Sequence, residues 1–574
     1  MSAAMSELVD QARQWIDGDP DPTTRAELTA LIESGDHTEL ADRMDGGLDF
    51  GTAGLRGLMG AGSNRMNRAT VIRTTRGLAD YLVDRYGGVP ENPVMVGRDA
   101  RVGSSVFMGD VVGVLLGAGL SVKVWEEVVP TPLLAYAVTA SGACAGVMIT
   151  ASHNPPLYNG YKVFDHNGAQ IIPPVDTAIA EAIDRVAPAI TVPYHHPSAD
   201  LMAEPIPPQV LDDYRNRLSR LRTPLETDPD QGIVYTPLHG VGWRYIKDLF
   251  AEAGYRNVHP VEPQIEPDGR FPTLPFPNPE EPGAMDLAIA RAEETDADLV
   301  LANDPDADRL GVAVPSASGW VRLTGNQIGV LLIDHLLSRS DLPSHPPPLI
   351  VSTIVSSPLA ERVAHAHGAR FETTLTGFKW IMKAALDVES AGQGTFVFGF
   401  EEALGYAIGG LNRDKDGLSA ALLMADLSSE ARREGQTILD RLESIYRRHG
   451  LWVSVQNSIV RPGPEGAVEI ESAMTYLGNH PPDSLGEKKV GSVTDYRKGA
   501  DSRPAWLGAA NLIALELPGG GRMLARPSGT EPKLKIYMDA TRPLAIADDP
   551  ARIESVMVRE AETAVSELVD HIGL

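Results

Sequence analysis

Residues 150–156 read TASHNPP and directly follow an apolar run, Ala145-Gly-Val-Met-Ile149. That run has the look of a buried strand. Ser152 therefore stands in a short loop at a strand end, followed by His153 and Asn154, and Pro155 and Pro156 prevent a helix from starting there. A hydroxyl on stiff backbone at such a place suits a nucleophile or a phosphate carrier. Ser-His-Asn is also an ordinary turn sequence, so the loop has to be weighed with the rest of the chain.

Working outward, short β-rich runs alternate with amphipathic stretches. Val94–Val96, Val122–Trp125 and Val147–Ile149 read as strands, with helices over Phe107–Gly119 and Asp176–Val186. This alternation is the signature of α/β architecture. Residues 1–45 form a helical lead-in around a DPDP break at 19–22, and the Pro-rich stretch Pro188 to Pro208 reads as a linker. A second α/β unit contains Ile233–Thr236 and Leu299–Ala302. A third contains Leu349–Val355 and Thr395–Phe398 and closes with a long charged helix ending near His449. The remainder, with strands at Val453–Val460 and Leu534–Met538 and a C-terminal helix, reads as a smaller α+β domain. The expected division is 1–45, 46–205, 206–322, 323–450 and 451–574.

The 574 residues exceed what one core supports. With 77 acidic against 50 basic residues, the formal charge of −27 argues against nucleic acid or an anionic membrane as partner. An anionic substrate would then require cations gathered locally. The single Cys144 excludes a disulfide framework, and no long apolar run or signal-like N-terminus occurs, so a cytoplasmic protein is expected.

Three further loops carry chemistry. After Asp298-Leu-Val-Leu-Ala302 comes NDPDADR, with Asp304, Asp306 and Asp308 at alternate positions. In an extended loop alternate side chains project the same way, and three converging carboxylates suit a hard cation such as Mg²⁺ or Ca²⁺. An EF-hand is excluded because Arg309 stands where it needs glycine and Pro315 where it needs glutamate. FGFEEALGY at 398–406 brackets Glu401 and Glu402 between glycines, a pair able to accept from sugar hydroxyls or to begin a helix. ARPSGTEPK at 525–533 combines Arg526, Ser528, Gly529, Thr530 and Lys533 in a constrained loop suited to a phosphate dianion. Additional cations are Arg56 in GTAGLRG (51–57), Lys162 in NGYKV, Lys379 in TGFKW and Lys415 in RDKDG. Ligand loops that follow strands are the rule in open α/β sheets.

Taken together, the four loops resemble the α-D-phosphohexomutase superfamily, in order and spacing, over nearly the whole chain. The resemblance implies four domains around a central cleft, three related α/β units and a smaller α+β unit. It makes Ser152 the phosphoserine, gives Mg²⁺ to Asp304, Asp306, Asp308 and a Ser152 phosphoryl oxygen, and assigns sugar selection to Glu401 and Glu402. The non-transferring phosphate falls to Arg526, Ser528, Gly529 and Thr530. Pro305 and Ala307 replace glycines of the usual metal loop, and Ala403 stands where a serine is usual. The wording of the loops looks like the branch containing phosphoglucomutase-2 and phosphopentomutase.

The expected activity is interconversion of hexose 1- and 6-phosphates, glucose favoured, through a phosphoserine enzyme and a bisphosphorylated sugar. Phosphomannomutase and phosphopentomutase chemistry are the alternatives, with a phosphatase or phosphotransferase behind them. Lys162 is the expected acid/base with His153 beside it. Arg56 and Arg309 assist phosphoryl transfer, and Lys379 and Lys533 join the substrate contacts. Sugar phosphates are the expected partners, with a sugar 1,6-bisphosphate as a further activator.

Overall fold

Three helices lead the chain: α1 (Ala3–Gly18), α2 (Pro22–Ser34) and α3 (His37–Met44). In this computed structural model the described residues are 3–44, 46–48, 50, 54–195, 203–222, 227–339, 341–342, 344–486, 488–528 and 533–574. The DPDP break separates α1 from α2 because Asp21 caps α2, accepting from the Thr23 amide at 2.9 Å, and Pro22 supplies the first helical φ. The apolar faces of the three helices meet around Val9, Ala12, Leu28, Leu40 and Met44.

The first sheet is built from β1 (Leu55–Leu58), β2 (Val94–Arg98), β3 (Val122–Val124), β4 (Ala145–Ile149), β5 (Tyr158–Asp165) and β6 (Ala203–Pro205). Their order is β1-β5-β4-β2-β3-β6. Helices α4 (Arg68–Tyr86), α5 (Ser104–Gly117), α6 (Thr131–Ala140) and α7 (Val175–Asp184) connect and cover these strands. β4 is buried at every residue, and sealing Val147, Met148 and Ile149 contributes about 1.5–3 kcal/mol apiece. The stretch read as a linker contributes β6, which pairs parallel with β3 from Val122↔Ala203 to Val124↔Pro205. Pro205 sits at an edge, where a missing N–H costs no ladder bond.

After α8 (Gln209–Leu221) come β7 (Ile233–Thr236), α9 (Trp243–Glu252), β8 (Val258–Pro260), α10 (Asp286–Thr295), β9 (Leu299–Asn303), β10 (Leu310–Ser316) and β11 (Gly319–Leu323). The second sheet runs β11-β10-β9-β7-β8, with β7 and β9 parallel and β9 and β10 antiparallel. The aspartate loop is thus the hairpin connection between β9 and β10.

The third unit has α11 (Gly325–Leu337), β12 (Pro348–Thr353), α12 (Leu359–Ala366), β13 (Arg370–Thr374), α13 (Phe378–Ser390) and β14 (Thr395–Glu401), with β12 parallel to both β13 and β14. Then follow β15 (Gly405–Ile408) and α14 (Gly417–Arg433). The long charged helix expected before His449 is two helices. α14 is followed by Gly435 at φ 71°, and α15 (Ile438–His449) starts afresh from a Thr437–Asp440 capping box.

The C-terminal part is sheet-rich: β16 (Leu451–Val460), α16 (Gly463–Asn479), the small pair β17 (Ser484–Leu485) and β18 (Lys488–Lys489), β19 (Ser492–Asp495), β20 (Ile513–Glu516), β21 (Arg522–Pro527), β22 (Lys533–Arg542) and α17 (Pro550–His571). Its main sheet is antiparallel in the order β16-β22-β21-β20-β19. The chain divides into two compact units, Met1–Arg322 with Leu404–Glu430, and Leu323–Ala403 with Ala431–Leu574. Among the described residues, no helix is long and apolar enough to cross a membrane.

Candidate active site

In the first unit, the TASHNPP loop leaves β4 and returns as β5. Ser152 adopts φ 52°, the left-handed region, which costs a non-glycine residue about 1–3 kcal/mol unless its surroundings hold it there. Arg101 does the holding. Its guanidinium donates to the carbonyls of Ser152 (2.6 Å), Pro155 (2.9 Å) and Tyr158 (3.1 Å), and to that of Asn154. Hydrogen bonds from a charged donor are worth about 1.5–3 kcal/mol each, so four of them outweigh the strain. The Ser152 amide in turn donates to Thr150 Oγ1 at 2.9 Å. Asp99, fully buried, accepts from the Arg101 amide and from Ser104, and lies 3.4 Å from Arg101 Nε. Gly160 allows the approach of three backbones: a Cβ there would lie 2.5 Å from the Thr150 carbonyl oxygen and 2.8 Å from that of Leu55.

Ser152 Oγ donates to Asp304 Oδ2 at 2.7 Å and lies 3.1 Å from His153 Nδ1. The serine and aspartate loops, read separately in the sequence, therefore meet. Asp304, Asp306 and Asp308 are buried, with ligand atoms within 4.8 Å of one another. They do not converge by extended alternation. Ala307 has φ 55° and its amide bonds the Asp304 carbonyl at 2.8 Å, so the chain turns and folds the carboxylates together. Asp304 Oδ1 accepts from the amides of Asp308 (3.1 Å) and Arg309 (3.0 Å). Gly417, at the start of α14, packs on this turn: its amide bonds the Ala307 carbonyl at 3.2 Å, and a Cβ would meet the Arg309 carbonyl oxygen at 2.4 Å.

Lys162 Nζ, 3% exposed, donates to Asp306 Oδ2 at 2.8 Å and Asp308 Oδ2 at 2.9 Å. Lys415 Nζ lies 3.6 Å from Asp308 Oδ2 and Arg309 Nε 3.9 Å from Asp308 Oδ1. Arg56 Nη1 donates to Asn154 Oδ1 at 3.0 Å. Thr131 closes the set, its hydroxyl 2.6 Å from Asp306 Oδ2. A chain of net charge −27 thus gathers five cations, Arg56, Arg101, Lys162, Arg309 and Lys415, about three carboxylates.

The charges respond to this setting. Burial and then the neighbouring Asp308 and Asp306 raise Asp304 well above the ordinary carboxylate range. Burial alone would also raise Asp308, but Lys162, Lys415 and Arg309 together outweigh it and hold it low. Burial works against charge on Lys162, and Asp306 and Asp308 reverse that, leaving its ammonium favoured. His153 is pushed well below the usual histidine value by burial, Arg309 and Arg56, and its ring stands edge-on to Phe276. Asp306 Oδ1 and Asp308 Oδ1 are buried with no hydrogen-bond partner among the described residues. Two such oxygens beside an all-oxygen donor set fit a hard divalent cation.

In the second unit, Glu401 ends β14 and Glu402 follows it in the turn before β15. Glu402 Oε2 accepts from Thr353 Oγ1 at 3.1 Å and Ser356 Oγ at 3.3 Å. Lys379 is buried at the start of α13, with Nζ 5.7 Å from the centre of the Trp380 ring. Arg526 lies near the end of β21, which pairs antiparallel with β22, and the Ser528 amide bonds the Lys533 carbonyl at 2.7 Å. Gly529 and Thr530, and residues 51–53 before Arg56, lie outside the described residues.

Sequence reading did not single out Arg101 or Thr131. GRDARVG after β2 carried a signal for Arg101, since a charged cluster following an apolar strand is where site loops occur.

A strand-end serine on a buried carboxylate cluster, ringed by cations in an α/β frame, defines a phosphoryl-transfer enzyme. Comparison makes this specific. The phosphoglucomutase/phosphomannomutase alpha/beta/alpha domain I matches residues 47–189, domain II residues 212–318 and domain III residues 324–448. The chain belongs to the phosphoglucomutase/phosphomannomutase family, whose members are phosphosugar mutases. It is 40% identical over 480 residues to the Haemophilus influenzae "Probable phosphomannomutase", covering 83% of this chain and 93% of that one. It is 36% identical over 565 residues to the Schizosaccharomyces pombe "Probable phosphoribomutase", covering 94% of each. Other relatives carry the names phosphopentomutase and phosphoglucomutase. The fold resembles that of pp63/parafusin, a Paramecium phosphoglucomutase, with TM-score 0.69 at 16% identity, covering 91% of this chain and 95% of that one.

Proposed function

We propose that this phosphosugar mutase interconverts hexose 1- and 6-phosphates, glucose favoured, with Ser152 as the phosphoryl carrier. The observation that carries the reading is the 2.7 Å hydrogen bond from Ser152 Oγ to Asp304, within reach of Lys162, Arg56 and Arg309. Starting from phosphoserine, a sugar hydroxyl oxygen bonds the phosphorus as the bond to Ser152 Oγ breaks. The net proton passes from the sugar hydroxyl to Ser152 Oγ. Lys162 is the group assigned to move it, and His153, 3.1 Å from Ser152 Oγ, orients the oxygen. The resulting bisphosphate turns over and returns its other phosphoryl group to Ser152.

Asp304, Asp306 and Asp308 would hold Mg²⁺, joined by an oxygen of the Ser152 phosphoryl group. When bound, the ion supplies charge neutralisation on the transferring group. Arg56 and Arg309 add fixed positive charge for the same purpose. Glu401 and Glu402 are assigned to the sugar hydroxyls, with Lys379. Arg526, Ser528, Gly529, Thr530 and Lys533 are assigned to the phosphate that is not transferred. That second grip favours a mutase over a phosphatase, which needs only one phosphate site. A sugar 1,6-bisphosphate would serve as activator by rephosphorylating Ser152. The lone buried Cys144 suits a reducing cytoplasm.

The test is kcat/KM on glucose 1-, mannose 1- and ribose 1-phosphate with intact-mass detection of one added phosphate. Turnover of glucose 1-phosphate with mass gain on Ser152 supports the reading. Release of inorganic phosphate without isomerisation would replace it by a phosphatase.

A further inference from the structure

The turn after β12, residues 353–357, belongs by its packing to the C-terminal sheet and by its hydroxyls to the sugar loop. Ile354 and Val355 are buried in one apolar cluster with Leu512, Ala514, Leu524 and Tyr537, which lie on or beside β20, β21 and β22. Two residues on, the Ser356 carbonyl accepts from Arg522 Nη2 at 2.5 Å. Arg522 opens β21, the strand whose far end carries Arg526 and the phosphate-type hairpin.

Arg522 is not free to swing. Its Nε donates to Asp539 Oδ2 at 2.9 Å, Asp539 is 2% exposed, and its other oxygen accepts from Ser454 Oγ at 2.5 Å. A guanidinium with one nitrogen locked on a buried carboxylate transmits the position of its strand to whatever its next nitrogen grips. What it grips is the backbone of Ser356.

The hydroxyl of Ser356 faces the other way. It accepts from the Glu402 amide at 3.2 Å, lies 3.3 Å from Glu402 Oε2, and shares a 2.9 Å hydrogen bond with Thr353 Oγ1. Thr353 reaches the same Oε2, so both hydroxyls converge on one carboxylate oxygen and fix the plane of the group. Thr353 and Ser356 are each 3% exposed. Two further bonds hold the turn itself: the Ile354 amide to the Thr374 carbonyl at 2.7 Å, and the Ser357 amide to Asn326 Oδ1 at 2.8 Å.

We propose that Ser356 is a positioning residue that registers the Glu402 carboxylate against β21 through Arg522, so that sugar discrimination depends on the placement of the phosphate hairpin's strand. The proposal rests on the assignment above of Glu402 to the sugar and of 526–533 to the non-transferring phosphate. Its chemical content is a specificity link. A sugar that places its hydroxyls and its phosphate at the wrong separation cannot satisfy both ends, because the two ends share one rigid connection.

The experiment uses the full chain. Ser356→Ala, Arg522→Gln, their double variant and Glu402→Gln are measured for kcat and KM on glucose 1-phosphate and ribose 1-phosphate. Ser356→Ala is expected to compress the kcat/KM ratio between the two sugars by about fivefold or more, within the range of coupling between contacting residues. Arg522→Gln should compress it in the same sense. In the double variant the ratio should match Ser356→Ala alone to within about twofold, because the link is already cut. Should Arg522→Gln not fold, Arg522→Lys keeps the charge on Asp539 but loses the fork, and it carries the same expectation. An unchanged sugar ratio in Ser356→Ala, with Glu402→Gln shifting it, overturns the proposal and leaves the sugar assignment standing. An unchanged ratio in Glu402→Gln overturns both. Fully multiplicative effects in the double variant overturn the link to Arg522.

Discussion

Ser152 Oγ donates to Asp304 Oδ2 across 2.7 Å, joining the end of β4 to the β9–β10 hairpin. Two sheets therefore meet at the proposed reaction centre. The serine is held by Arg101 through the carbonyls of its loop, and its oxygen is aimed by a carboxylate from the other sheet.

Replacing that oxygen should stop the reaction while leaving the protein folded. Ser152→Ala is expected to lower kcat by about three decades or more, equivalent to some 4 kcal/mol of barrier, with monophosphate binding retained. Wild-type protein incubated with glucose 1,6-bisphosphate should gain the mass of one phosphate, and the alanine variant none. Near-normal turnover in Ser152→Ala would remove the carrier role.

The aspartate turn should make activity dependent on a divalent cation. EDTA should abolish turnover and Mg²⁺ restore it. Asp306→Asn, which removes one ligand charge, should weaken Mg²⁺ affinity about tenfold or more, or about 1.4 kcal/mol, in a titration of activity or heat. Undiminished activity after exhaustive chelation would assign the three carboxylates another purpose.

Arg101 offers a test of loop rigidity separate from ligand binding, since its bonds are to protein carbonyls. Lysine keeps the charge but presents a single ammonium in place of a planar fork. Arg101→Lys should lower kcat about 10- to 100-fold, the equivalent of about 1.4–2.8 kcal/mol, while KM for the sugar phosphate changes less than threefold. Equal losses in kcat and in 1/KM would point to substrate contact instead.

Sugar preference should be broad. Ala403 offers no hydroxyl beside the two glutamates, and an apolar position discriminates weakly compared with a hydrogen-bonding one. Glucose 1-phosphate should give the highest kcat/KM, with mannose 1- and ribose 1-phosphate at lower, measurable values. Glu401→Gln should depress all three. A higher kcat/KM for the ribose or mannose phosphate would overturn the glucose preference and leave the mutase class intact.

Much of this was legible in the chain because strand and loop signals are local. Ile233–Thr236 is read at its observed limits from four apolar or β-branched residues between turn formers. The serine and aspartate loops announce themselves by unusual composition after apolar strands. What the pattern hides is non-local or conformational. Arg101 acts on carbonyls some fifty residues away, and nothing in its immediate neighbours encodes that reach. β6 looks like linker because its edge position tolerates proline. The aspartates appear as an extended alternation, yet a left-handed Ala307, where glycine is the usual choice, bends them into a turn. The split between α14 and α15 was available in Gly435 and the Thr437–Asp440 box, but helical periodicity on both sides conceals it.

The left-handed backbone at Ser152 restricts which side chains can occupy the proposed carrier position. A β-branched residue is an outlier at φ 52°, so threonine, chemically able to carry a phosphoryl group, is barred by geometry rather than by reactivity. Aspartate and asparagine tolerate that region far better. A carboxylate imitation of the charged carrier can thus be installed without rebuilding the loop, whereas the nearest natural homologue of serine cannot.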